Sequence, residues 1–61
     1  LRGAIARLPQ HLQNVIALRD LGRLSYKEVA KILGIEGGTA RVYRRQAVVR
    51  LAEILHERPD P

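Results

Sequence analysis

Arg41, Arg44, Arg45 and Arg50 fall within one stretch, ARVYRRQAVVR, with no acidic residue among them. A guanidinium is a permanent cation with a planar fork of donors, so it can pair with phosphate oxygens or with the O6 and N7 acceptors of guanine. Val42 and Gln46 are interleaved with these arginines. A valine can touch a thymine methyl and a glutamine can pair with adenine. At about 100° per residue, Arg41, Val42, Arg45, Gln46 and Val49 share one helix face, opposite Ala40, Tyr43, Ala47, Leu51 and Ile54. Arg41, Val42, Arg45 and Gln46 are therefore candidate readers of base edges. Arg44 projects beside the apolar face, where its stem can cover apolar atoms and its head can reach a phosphate. Lys27 and Thr39, each near a helix start, are further phosphate candidates. A merely solvated face would account for the arginines alone, but it would gain nothing from Val42 and Val49 lying exposed between them.

In a helix-turn-helix a second helix crosses such a reading helix at a steep angle, and LSYKEVAKILGIEGGTA supplies the parts of that crossing. Ser25 and Glu28 have the spacing of a capping box, and Leu24 and Val29 that of a hydrophobic staple, so the start of the first helix is specified twice. Ala30 is small where the two helices must approach closely. Gly34 stands where the chain must turn left-handed, which costs a residue with a β-carbon roughly 1 kcal/mol or more. Ile35 then enters the core as the apolar plug of the turn. Either Glu36 or Thr39 can cap the second helix. Gly37 and Gly38 either lengthen the turn or allow a phosphate close to the backbone.

Two further helices are expected upstream. Residues 2 to 7 read as a short helix ending at Leu8-Pro9, because proline disfavours helix in the residue before it and suits the first turn of the next. Leu12, Val15 and Ile16 recur at helical spacing up to Asp20, with Gly22 marking the exit. The third helix runs from Tyr26 to Leu33, with Lys27 and Lys31 outward. The fourth continues to about Leu55 before Pro59 and Pro61 end it. The expectation is an all-α, small four-helix domain over residues 1–56 containing a helix-turn-helix, with residues 57–61 a disordered tail.

Composition limits the partners. The 61 residues carry a formal charge of +5 and a pI near 10.8, which favours a polyanionic partner, nucleic acid or an acidic membrane surface. No apolar run approaches the roughly 20 residues needed to span a bilayer. All four apolar stripes are needed for one core, which speaks against the membrane. Cysteine is absent and 46% of residues are hydrophobic, so stability must come from the helical core. His11 and His56 lie far apart without paired acids beside them, and Gly37-Gly38-Thr39 lacks the lysine of a phosphate loop. No enzyme, metal or cofactor is expected. The chain begins at Leu1 rather than Met within a helical pattern, as expected of a segment of a longer protein.

Together, LPQHLQNVIALRDLG, LSYKEVAKILGI, the GTAR opening of the last helix and its Arg50-Leu51 ending resemble region four of bacterial sigma factors, especially the extracytoplasmic-function group. The resemblance covers nearly the whole chain and implies a winged-helix-like or sigma region 4 type of fold. It implies a cytoplasmic protein that recognises the promoter's minus-thirty-five element in double-stranded DNA and docks on the β-subunit flap of RNA polymerase. The family's base-reading positions match Arg41, Val42, Arg45 and Gln46, and its backbone contacts match the vicinity of Lys27 and Thr39. Tyr43 stands where a basic residue is common in that family, and Arg44 where an apolar one is common. LuxR-type response-regulator domains share the spacing of Thr39, Arg41 and Arg50-Leu51 but match the first twenty residues less well. An interaction module held by an anti-sigma factor is the rival function, and exposed Val42, Val48 and Val49 would suit it.

Overall fold

The computed structural model describes residues 2–56. In chain order these form α1 (Arg2–Ala6), α2 (Gln10–Ile16), α3 (Tyr26–Leu33) and α4 (Gly37–His56), with α2 running on into a π-helical turn, Ala17–Leu21. No strand occurs among the described residues, and none of their helices is long and apolar enough to cross a membrane. The tail expected at 57–61 lies outside the described residues.

Pro9 separates α1 from α2 as its fixed φ and missing N–H require. The Gln13 side-chain amide, one turn into α2, reaches back to donate to the Leu8 carbonyl at 2.7 Å and the Ala6 carbonyl at 3.3 Å. These are acceptors that the end of α1 leaves without helical partners.

The end of α2 differs from the regular helix expected up to Asp20. Its last turn is widened, and the Gly22 amide donates to the Ala17 carbonyl at 2.8 Å, a five-residue closure. Gly22 is required there by space, not by a left-handed backbone, since its φ is −82°. A β-carbon at this position would lie 2.8 Å from the Leu18 carbonyl oxygen. The left-handed residue is the next one, Arg23, with φ 56°.

Within α3 the local signals act as the sequence implies. The Glu28 amide donates to Ser25 Oγ at 3.1 Å, while the Ser25 amide donates to Glu28 Oε1 at 2.9 Å, closing the capping box. At the other end Gly34 has φ 68°, and the amides of Gly34 and Ile35 both donate to the Ala30 carbonyl. That left-handed closure ends α3 and turns the chain into α4, which begins at Gly37 and leaves Glu36, not Thr39, at the cap position.

Two apolar clusters hold the helices. Leu8, Leu12, Ile16 and Ala47 form one, with Ile5, Leu51 and Ile54 against it. Val15, Val29, Ala30 and Ala40 form the other, lined by Leu18, Leu24, Tyr26, Leu33 and Ile35. Tyr43 packs against both, so α4 is the element they share. Ala40 and Ala47 are fully buried, and their small side chains let the α4 backbone lie close to α2 and α3. Full burial of a side chain such as Val29 contributes about 1.5–3 kcal/mol.

Candidate nucleic-acid interface

Burial of Ala40, Tyr43 and Ala47 fixes the rotation of α4 about its axis and decides which face is left to solvent. Arg41, Val42, Arg45 and Gln46 are all exposed. Val42 and Val49 remain 52% exposed and Val48 43%, so apolar surface is presented among the charges. Val42, Arg45, Gln46, Val49, Arg50 and Glu53 line one shallow groove of about 510 Å³ along this face. Glu53, at its C-terminal end, repels phosphate. The half of α4 suited to a polyanion is therefore the N-terminal half, which in a helix-turn-helix is the part that enters the major groove.

The arginines of α4 have different surroundings. Arg45 lies in the open groove, with no ion pair or ring contact to another described residue. Arg44 is half-buried and donates through Nε and Nη2 to the two carboxylate oxygens of Asp20, both at 2.9 Å. This fork ties α4 to the π-helical turn across 24 residues of sequence. The Arg44 hydrogen bond holds the Asp20 carboxyl below its ordinary pKa, and the charges of Arg44 and Arg19 act in the same direction against a partial burial that opposes them. Asp20 correspondingly raises the pKa of Arg44, with a smaller contribution of the same sign from Tyr26.

Arg41 takes a third arrangement. Its guanidinium carbon lies 4.7 Å from the centre of the Tyr26 ring, and that of Arg19 is at the same distance from the same ring. Arg19 is anchored by donation from Nη1 to the Leu24 carbonyl at 3.2 Å, while its Nε is buried without a partner.

Of the phosphate candidates, Lys27 is exposed in the first turn of α3, and Thr39 is half-buried in the first turn of α4. Arg44 carries its carboxylate partner with it. At Gly37 and Gly38 a β-carbon would meet nothing within 4 Å, so internal packing does not demand glycine at either.

Asp20, Arg19 and Tyr26 were not among the residues that sequence patterns single out. Asp20 and Arg44 meet only because α2 and α4 cross, and no periodicity encodes that. Tyr26 gave the one available hint, an aromatic ring at the first position of the helix that precedes an arginine-rich one.

No curated protein and no solved structure matches the chain. A family model does: the one described as Sigma-70, region 4 matches residues 1–51. Sigma factors act through DNA and RNA polymerase, which suits the basic, outward face of a helix-turn-helix. On that match and this all-α architecture, the chain belongs to the sigma-70 region 4 family, the helix-turn-helix DNA-binding domain of sigma factors.

Proposed function

We propose that this domain selects promoters by reading the minus-thirty-five element with α4, as the C-terminal domain of a cytoplasmic sigma factor of the extracytoplasmic-function group docked on the β-subunit flap of RNA polymerase. It acts by binding and not by catalysis. The observation that carries this reading is the joint exposure of Arg41, Val42, Arg45 and Gln46 on the N-terminal half of α4 while Ala40 and Ala47 are buried behind them. Arg41 and Arg45 supply bidentate donors for guanine, Gln46 pairs with adenine and Val42 meets a thymine methyl. Lys27 and Thr39 set the register through phosphates, whereas Arg44, read from the sequence as a third phosphate contact, is held by Asp20 and fixes α4 in place.

Fluorescence anisotropy with a promoter duplex and a scrambled duplex tests the reading. Arg41→Ala and Arg45→Ala should each lose about 1–3 kcal/mol of preference for the promoter duplex. Affinity for the scrambled duplex should fall steeply with salt, by about 0.9 in log–log slope for each phosphate neutralised. A promoter preference that survives both substitutions would refute it.

A second reading is favoured by one observation, the exposure of Val48 and Val49 on a helix otherwise rich in charge. Apolar side chains there suit a protein partner such as an anti-sigma factor, which would cover the same helix and exclude DNA. Unchanged duplex affinity in the arginine variants would favour that partner.

A further inference from the structure

Tyr26 is in contact with the arginine of α4 that stands nearest the start of the reading face, and it belongs to a different helix. We propose that Tyr26 is a positioning residue for base recognition: its ring holds the Arg41 guanidinium in place before DNA arrives. The proposal rests on Arg41 being a base-reading residue, as proposed above.

Three observations support it. Tyr26 is itself fixed, as the first residue of α3, within the Ser25–Glu28 capping box, and packed on the cluster formed by Val15, Val29, Ala30 and Ala40. Arg41 stacks on that ring at 4.7 Å. Arg19 stacks on it too, and is secured by the Leu24 carbonyl, so the ring is held from the α2 side as well.

The kind of contact matters. A carboxylate partner occupies donors of the guanidinium fork, as Asp20 does with Nε and Nη2 of Arg44. An aromatic ring attracts the cation through its π face, while the N–H donors point outward in the guanidinium plane. Arg41 is thereby restrained without losing its charge or its fork. A long, exposed side chain otherwise surrenders much rotamer freedom on binding, and prior restraint reduces that loss.

The test is the ratio of affinities for two duplexes, one enriched by the wild-type chain from a random pool and one a scramble of equal composition. Tyr26→Leu should lower this ratio about two- to fivefold, the range of an exposed cation–π contact. Tyr26→Phe, which keeps the ring, should restore it. In an Arg41→Ala background Tyr26→Leu should cause no further loss. An equal loss in both backgrounds, or a Tyr26→Phe variant as impaired as Tyr26→Leu, would overturn the positioning role. If Arg41→Ala alone leaves the ratio unchanged, the base-reading assignment fails and the positioning role goes with it. A loss in Arg41→Ala with none in Tyr26→Leu overturns the positioning role alone. Because leucine at 26 also removes core packing, NMR of the free wild-type chain supplies a reading that needs no variant. Ring-current shifts should move the Arg41 side-chain protons upfield of those of Arg45, and coincident shifts would overturn the stacking.

Discussion

Neutralising Asp20 should lower the stability of this domain by a calculable amount and in a defined pH range. The Asp20→Asn change keeps the shape of the side chain but replaces the two-oxygen acceptor that Arg44 grips at 2.9 Å on each arm. Both partners are 35% exposed, so the interaction is screened and the value for exposed pairs applies. The bidentate geometry places it at the upper part of that range, about 0.5–1 kcal/mol. In a domain of this size about 1 kcal/mol corresponds to roughly 4–8 °C in Tm, so the variant should melt about 2–8 °C below wild type near neutral pH. The pH dependence follows from the Arg44 hydrogen bond, which depresses the Asp20 pKa below 3.8. A carboxyl depressed on folding contributes stability that is present above its unfolded-state pKa and lost as pH falls through the folded one. The Tm gap between wild type and Asp20→Asn should thus stay constant down to about pH 5 and close below about pH 4. Thermal melts followed by circular dichroism over that range decide it. Coincident melting at neutral pH, or a gap undiminished near pH 2, would refute the reasoning.

The same substitution should strengthen DNA binding at low salt, because it removes a negative charge beside α4 and releases Arg44. If Arg44 then takes a phosphate, the log–log salt slope steepens by about 0.9, as anisotropy titrations at several salt concentrations would show. Gly22→Ala places a methyl 2.8 Å from the Leu18 carbonyl oxygen, a backbone atom that can move only by disturbing the π-helical turn. Denaturant melts should show a loss of about 1–3 kcal/mol, the usual cost of overpacking. Ser25→Ala removes the acceptor of the Glu28 amide and should cost about 1 kcal/mol in the same assay.

What the sequence discloses here is local. The capping box, the left-handed Gly34 and the Ile35 plug are each encoded within a few residues, and α3 with its turn could be read directly from LSYKEVAKILGI. The stripes of α2 and α4 were equally legible because burial imposes the helical period. The π-helical turn was not, since the apolar period of α2 stops before it and its five-residue closure, from the Gly22 amide to the Ala17 carbonyl, leaves no periodic trace. Gly22 could be read as an exit signal, but its physical reason is proximity to a carbonyl. The positive φ fell to Arg23, a residue type that gives no warning of it. The outward face of α4 was legible as a pattern, whereas the partners of its arginines depend on tertiary crossings that sequence spacing does not contain.

Those partners make chemically identical residues do different work. Arg44 spends its donors on Asp20 and so fixes α4 to the turn that follows α2. Arg41 is restrained by a ring that leaves its donors available, and Arg45 projects into an open groove. A rotation of α4 by one residue, about 100°, would carry Arg41 toward the core and Ala40 into solvent. It would also break the Arg44–Asp20 fork. The buried alanines and the ion pair therefore oppose the same error from two sides of the helix: apolar burial makes rotation costly, and the fork selects the angle within what burial allows. The base recognition proposed for this face needs both, because a shift of one residue in helical phase would present a different set of side chains to the major groove.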